Sequence, residues 1–194
     1  MSDKVKVLIV DDNYDFACLI KKIITMDTRL DFLGHASCKA SGIEMSCKMK
    51  PDIVVMDLNL SGTNLDGIDA AKEIRVITGI KILLLTVYEQ KDIIIDASTR
   101  AFASGYVLKS QFQTIAQLIY ETATSSTPQK EFIKELTLSG LSSAERGVLE
   151  DMVNGTHLYT SHSSRSTVDN QKTSIFRKLG LRNKKEALRV FRNW

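Results

Sequence analysis

The apolar residues in the first part of the chain follow two patterns. Three runs rich in Val, Ile and Leu lack polar alternation, as is typical of strands buried on both faces; they are residues 5–10, 52–56 and 81–87. Between them, apolar residues recur with helical spacing, most clearly at Phe16, Leu19, Ile20, Ile23 and Ile24. The pattern predicts strands that alternate with helices.

Weaker patterns complete five strand–helix units. Strands are predicted at 30–36 and 105–108, and further helices at about 39–49, 66–78, 91–103 and 112–123. Parallel strands joined by helices form right-handed crossovers that cover both faces of a sheet. Residues 1–123 are therefore predicted to form an α/β domain with a doubly wound, five-stranded parallel sheet, although another strand order remains open.

The remaining residues predict a small all-α domain. Residues 124–138 are assigned to a linker, because the polar segment 124–130 has no periodicity and contains one of the two prolines. Ser142 and Glu145 have the spacing of a capping box, and the helix that they begin should end near Gly155. Residues 139–194 continue with predicted helices from 166 to 179, ended by Gly180, and from about 183.

Charge differs between these two parts of the chain. The composition, 43% hydrophobic and 25% charged, is that of a globular protein with a net charge of +3. Residues 1–123 carry 14 basic and 16 acidic side chains, a net of −2, whereas residues 124–194 carry 12 and 7, a net of +5. This basic excess indicates either a polyanionic partner or a solvated helix face.

The cysteines and the hydropathy pattern indicate the compartment. Cys18, Cys38 and Cys47 are an odd number without CxxC spacing, so neither a disulfide framework nor a zinc site is expected. There is no apolar run long enough for a transmembrane helix and no signal-peptide pattern at the N-terminus. A cytoplasmic protein without a membrane partner is expected.

Polar residues at the ends of the predicted strands carry the candidate chemistry. They are Asp11, Asp12, Asp57, Thr86 and Lys109. The carboxyl ends of parallel strands share one edge of a sheet, where ligands of doubly wound folds bind. Clustered carboxylates favour a hard cation such as Mg²⁺, and a lysine and a hydroxyl beside them could stabilise a phosphoryl group transferred to a carboxylate.

These residues and their spacing resemble the receiver domain of bacterial response regulators, a flavodoxin-like fold. The motifs are Val10-Asp11-Asp12, Val55-Met56-Asp57, Leu85-Thr86 and Tyr106-Val107-Leu108-Lys109. The resemblance implies that Asp57 accepts the phosphoryl group. It also implies that Asp12, Asp57 and the backbone carbonyl of Asn59 hold Mg²⁺, with Asp11 acting through water.

The same resemblance assigns roles to three further residues. Lys109 would contact the phosphoryl group, and Thr86 and Tyr106 would form the switch pair in which the hydroxyl and the aromatic ring move together. The loop 58–67 departs from the family pattern because it is longer and has no proline. This departure puts the rigidity of the loop and the lifetime of the phosphoryl group in question.

Residues 139–194 resemble the helix-turn-helix domain of the NarL/FixJ (LuxR-type) subfamily. The resemblance lies in residues 141–150, 166–168 and 175–181. Between them, residues 156–164 are about four residues shorter than the first motif helix of the family, which predicts a truncated or irregular helix. His157 and His162 have no carboxylate or cysteine partner, so no metal site is expected there.

The predicted recognition helix has a mixed character. Asp169 replaces a basic residue of the family pattern, which disfavours phosphate contacts. The residues expected to contact DNA are Arg165, Thr167, Asn170, Gln171, Lys172, Arg177 and Lys178. The last helix resembles the dimerisation element of the subfamily, which would give Val190, Phe191 and Trp194 a partner in a homodimer.

The sequence therefore predicts a two-component response regulator, phosphorylated by a sensor histidine kinase and acting as a DNA-binding transcriptional regulator rather than an enzyme. In the alternative, the shortened helix-turn-helix binds protein or only dimerises. A phosphatase of the haloacid dehalogenase type is a third reading. It requires an acidic residue at position 59, where this chain has Asn59, and it leaves the Asp11-Asp12 pair unexplained.

Overall fold

The chain is described by a computed structural model that covers residues 4–60, 66–155, 165–192 and 194. Its strands are β1 (Val5–Val10), β2 (Leu30–Ala36), β3 (Ile53–Asp57), β4 (Lys81–Thr86) and β5 (Gly105–Leu108). They form a five-stranded sheet in the order β2-β1-β3-β4-β5, and each neighbouring pair is parallel. The predicted doubly wound α/β fold is confirmed, and three of the strands have the predicted bounds.

Both faces of the sheet are apolar, which explains why the strand sequences do not alternate with polar residues. Successive residues of β1 point to opposite faces: Leu8 and Val10 join one core, and Val7 and Ile9 join the other. The helices of this part are α1 (Tyr14–Met26), α2 (Lys39–Met49), α3 (Asp66–Thr78), α4 (Lys91–Arg100) and α5 (Ile115–Thr124). Residues of α2, α3 and α4 cover the first core, and residues of α1 and α5 cover the second.

Two predicted helices are shorter than expected. The helix predicted at 91–103 ends at Arg100, because Phe102 adopts a left-handed conformation with φ 52° and its neighbour Ala103 donates to the Ser98 carbonyl. The helix predicted at 112–123 begins at Ile115, after a 3-10 segment at Lys109–Thr114. Both differences lie at helix ends, where local pairing decides the boundary.

The C-terminal part is helical, as predicted. Its helices are α6 (Pro128–Leu138), α7 (Ser143–Asn154), α8 (Arg165–Leu179) and α9 (Lys184–Phe191). The Ser142–Glu145 capping box is present in both directions, with bonds of 3.3 and 2.8 Å. Gly155 and Gly180 follow α7 and α8 with φ of 72° and 64°, as expected for helix ends.

Most of the segment assigned to the linker is helical. Only residues 125–127 separate α5 from α6. The Thr127 side chain accepts a bond from Lys130 N at 3.2 Å, and Pro128 occupies the first turn of α6. Polar residues and a proline at this position begin a helix rather than extend a loop.

Helix α9 packs on the first part of the chain. Val190, Phe191 and Trp194 are buried in one core with Val76 and Phe102. The chain itself therefore covers, in this arrangement, the apolar stripe for which a partner was expected. A hydrogen bond of 2.8 Å from Arg75 Nη2 to the Val190 carbonyl joins the two parts.

Two expectations concern the chain as a whole. The three cysteines are free and exposed in the structure. Among the described residues, no helix combines the length and the hydrophobicity that a membrane span requires. The predicted irregular helix at 156–164, with His157 and His162, lies outside the described residues.

Candidate functional site

The parallel sheet brings the predicted strand-end residues together. Asp57 and Thr86 are the last residues of β3 and β4, Asp11 directly follows β1, and Lys109 directly follows β5. The order of the strands places β1 and β3 side by side, so Asp11, Asp12 and Asp57 meet at the carboxyl edge of the sheet. Asp11 and Lys109 are in contact in the fold although they are 98 residues apart in the sequence.

Lys109 lies between two buried carboxylates. Its Nζ is 2.8 Å from Asp11 Oδ2 and 2.8 Å from Asp57 Oδ2. Asp11 is fully buried and Asp57 is 5% exposed. The ammonium also lies 4.8 Å from the centre of the Phe16 ring, which favours a cation over its face. One cation therefore partly neutralises two carboxylates in a largely dry crevice.

The ionisation of both partners reflects this crevice. Burial raises the pKa of Asp57 to about 6, against the lowering effect of Lys109, and the nearby Asp11 charge adds to the rise. For Lys109, burial opposes the charge, but the bonds to Asp11 and Asp57 raise its pKa above the ordinary value. The site holds more negative charge than one lysine stabilises.

The three carboxylates have the arrangement of a cation site. One oxygen of each of Asp11, Asp12 and Asp57 lies within 4.8 Å of the others. Asp12 is exposed, so a hydrated ion could reach it from solvent. Carboxylate oxygens in this number suit Mg²⁺, which keeps several waters and takes one or two protein carboxylates.

The loop after β1 is fixed by short-range hydrogen bonds. Asp11 Oδ1 accepts from Asn13 N at 2.9 Å, and Asn13 Oδ1 accepts from Phe16 N at 3.0 Å, so Asn13 caps α1. His35 Nε2 lies 2.7 Å from the Asp11 carbonyl oxygen. These contacts hold Asp11 in place before any ion or phosphoryl group arrives. The capping role of Asn13 was not predicted, although the residue before a helical stripe is a recognisable cap position.

Gly67 supports the other side of the site. A Cβ at this position would lie 1.9 Å from the Asp57 carbonyl oxygen, so only glycine fits there. Its amide donates to the Leu58 carbonyl at 3.0 Å, which ties α3 to the end of β3. Asn59 is half-buried, its backbone amide bonds Asp57, and its side chain donates to Tyr88 Oη at 3.1 Å. The roles of Gly67 and Tyr88 depend on tertiary contacts and were not predicted.

Thr86 and Tyr106 lie on neighbouring strands but have different surroundings. Thr86 is buried, and its hydroxyl accepts from Tyr88 N at 3.0 Å. Tyr106 is half-buried and packs against both the sheet core and the C-terminal core. Its amide donates to Gln129 Oε1 of α6 at 2.9 Å. A movement of Tyr106 would therefore act directly on the C-terminal helices.

The residues expected to contact DNA do not share one environment. Thr167, Asn170, Arg177 and Lys178 are exposed, whereas Gln171 and Lys172 are half-buried. The side chain of Arg165 lies outside the described residues.

Two of the expected basic contacts form ion pairs within the chain. Lys172 pairs with Asp169 at 2.9 Å, and Lys178 pairs with Glu145 at 2.7 Å. The bond from Lys178, together with those from Ser142 and Ser174, lowers the pKa of Glu145 to about 2. Asp169 therefore neutralises the charge of Lys172, its neighbour on the same helix.

Known proteins resemble both parts of the chain. Residues 7–120 match the response regulator receiver domain family. The nitrate/nitrite response regulator protein homolog of Haemophilus influenzae is 32% identical over 170 residues, which cover 80% of this chain and 78% of that protein. The solved structure of the RcsB response regulator from Salmonella typhimurium has a TM-score of 0.55 at 23% identity and covers 95% of this chain and 96% of its own. That likeness shows the fold of both parts.

Some relatives match little more than half of the chain. A protein-glutamate methylesterase/protein-glutamine glutaminase of Photobacterium profundum is 32% identical over 115 residues, which cover 58% of this chain and 28% of the enzyme. The receiver therefore occurs with different output domains. Since the family match spans more than half of the chain and a regulator matches most of it, the chain belongs to the response regulator receiver domain family, as a two-component regulator of the NarL and LuxR type.

Proposed function

We propose that Asp57 is the phosphoryl acceptor of this regulator and that a sensor histidine kinase is the donor. The observation that carries the proposal is the position of Lys109 Nζ, 2.8 Å from both Asp11 and Asp57. The exposed Asp12 lies beside them, at the solvent side of the crevice. Buried carboxylates beside a fixed cation favour a reaction that places a phosphoryl group between them. We also propose residues 1–123 as receiver, 124–138 as connecting segment and 139–194 as output domain.

The residues present fit the proposed chemistry. An Asp57 carboxylate oxygen attacks the phosphorus of the kinase phosphohistidine, the P–N bond breaks, and the leaving imidazole takes up a proton. Lys109 then contacts the phosphoryl oxygens instead of two carboxylates. Asp12, Asp57 and the Asn59 carbonyl would hold Mg²⁺, with Asp11 acting through water, and the ion would supply positive charge to the transferring group.

The response of the chain would pass through Thr86 and Tyr106. The Thr86 hydroxyl would turn towards the phosphoryl group, away from the Tyr88 amide that it now accepts from. Tyr106 would follow into the space behind it and disturb the contact with Gln129 of α6. Phosphorylation shifts an equilibrium only through such state-dependent contacts.

The output that the basic C-terminal part supports is transcriptional regulation by DNA binding, with a homodimer on activation. The candidate DNA contacts are Arg165, Thr167, Asn170, Gln171, Lys172, Arg177 and Lys178. A second candidate, a protein-binding or dimerising output, is favoured by the Lys172–Asp169 pair, which reduces the positive charge available for DNA. We propose a regulatory and not an enzymatic output, in the cytoplasm.

Labelling by acetyl phosphate tests the acceptor. With Mg²⁺ present, the natural chain should become phosphorylated and Asp57→Asn should not, while Asp52→Asn, which changes an exposed aspartate before β3, should be labelled normally. Persistent labelling of Asp57→Asn would overturn the assignment.

Salt-dependent DNA binding tests the output. With the phosphorylated chain, affinity for promoter DNA should fall steeply as salt rises, because several phosphate contacts release counterions. Absence of DNA binding with and without phosphorylation would favour the protein-binding alternative.

A further inference from the structure

A cleft separates the receiver from the last turn of α8. It has a volume of about 360 Å³. Four basic side chains line it, two from the receiver (Lys72 and Arg100) and two from α8 (Arg177 and Lys178). The described residues that line the cleft include no acidic side chain, so basic side chains from both parts of the chain meet there.

Two of the four cations are already paired. Arg100 pairs with Asp96 at 3.0 Å and with Asp69 at 3.9 Å, and Lys178 pairs with Glu145 at 2.7 Å. Within the described part of the chain, Lys72 and Arg177 have neither an ion pair nor a hydrogen bond. The cleft therefore holds two uncompensated positive charges, which match the charge of one phosphate monoester.

The uncompensated Lys72 reaches across the boundary between the two parts. It is half-buried, and its Nζ lies 5.7 Å from the centre of the Phe102 ring. A Cβ at Gly180 would come within 2.8 Å of this Nζ. Lys72 Nζ thus lies between the receiver and the end of α8. A ligand bound to Lys72 and Arg177 would therefore contact both parts of the chain at once.

The other walls define the rest of the ligand. Thr99 and Thr137 donate their hydroxyl protons to the carbonyls of Ile95 and Ile133, each at 2.8 Å, so their oxygens are left to accept. A ligand with hydroxyl donors suits these oxygens. Phe102 and Leu179 supply apolar surface, and the volume is within the range of small-molecule sites.

We propose that this cleft binds a small polyhydroxylated phosphate ester, such as a sugar phosphate, whose phosphate bridges Lys72 and Arg177. Arg177 can donate two parallel hydrogen bonds to a phosphate, and Lys72 supplies a point charge. The bound ester holds the receiver and the output domain together. Because Arg177 is also a candidate contact to the DNA backbone, the ester and DNA compete for it.

Calorimetric titration of the full chain with D-ribose 5-phosphate tests the site. EDTA and the Asp57→Asn background keep the acceptor site from contributing. We expect the ester to bind more tightly than inorganic phosphate and D-ribose not to bind. Lys72→Ala and Arg177→Ala should each weaken binding by roughly tenfold, as expected for loss of a charged hydrogen bond.

A matched control removes the same charge elsewhere. Lys48→Ala, on the exposed surface of α2, should leave the affinity unchanged. Absence of binding, or equal weakening in Lys48→Ala, overturns the proposal. Asp57 phosphorylation of the natural chain is a separate measurement, so this result does not depend on the acceptor assignment.

Discussion

Lys109 shows how much of the site depends on one side chain. Two buried carboxylates, Asp11 and Asp57, share its ammonium at 2.8 Å. Because burial raises the pKa of Asp57 to about 6, ionisation of this residue reduces folding stability as pH rises from about 4 to about 6. The sign follows from the folded state binding its proton more tightly than the unfolded state does.

Lys109→Met is predicted to destabilise the chain at neutral pH by about 3 kcal/mol, because it leaves two buried carboxylates without their cation. The variant should raise the pKa of Asp57 further. The destabilisation should therefore shrink as pH falls from about 8 to about 5, where Asp57 becomes neutral. Urea unfolding of both proteins across this range, without divalent cations, measures the effect.

Lys22→Met, on the exposed face of α1, is the matched control and should show no such pH dependence. A difference between Lys109→Met and the natural chain that is independent of pH would contradict the account of Asp57.

At the scale of elements, the end of α4 connects the sheet to the C-terminal helices. Phe102 occupies a left-handed position, φ 52°, where helices commonly carry glycine. Its ring is nearly perpendicular to those of Phe191 and Trp194, with centroids at 6.0 and 5.9 Å. The backbone strain of a bulky residue there is offset by aromatic packing across the boundary.

A comparison of Phe102→Gly with Phe102→Ala separates strain from packing. Both variants lose the aromatic contacts, but only glycine adopts φ 52° without strain. Phe102→Gly should therefore be more stable than Phe102→Ala by about 1 kcal/mol, despite the greater flexibility of glycine in the unfolded chain. Thermal unfolding of the pair measures this, and an alanine variant of equal or greater stability would contradict it.

At the scale of the whole molecule, the two parts of the chain are joined by an apolar contact that contains a buried cation. Arg75 is fully buried and donates to the carbonyls of Gly79 and Val190, each at 2.8 Å. Burial lowers its pKa to about 10. Separation of the two parts would let water solvate Arg75 but would also expose Trp194. Because these two effects oppose each other, a modest change in the receiver is enough to alter the contact.

Trp194 is the single tryptophan of the chain and reports on this contact. It is 9% exposed and stacks on Phe191 at 5.0 Å. Beryllofluoride with Mg²⁺ should shift its fluorescence to longer wavelength if the phosphorylated state separates the two parts. Asp57→Asn should show no shift. An unchanged spectrum in the natural chain, under conditions where acetyl phosphate labels it, would contradict domain separation as the response.

Local periodicity and parallel connections were enough to predict the five strands, the helices between them and the residues that meet at the carboxyl edge, although the strand order stayed open and the helical character of α6 was missed. The sequence also located the capping box and the glycines that end α7 and α8, since these depend on a few neighbouring residues. The pairing of Lys109 with both Asp11 and Asp57, and the close approach of Gly67 to the Asp57 carbonyl, depend on long-range packing and follow from the folded structure. The folded structure likewise decided that the receiver covers the stripe of α9, because an amphipathic helix specifies that it needs a partner but not which surface provides it.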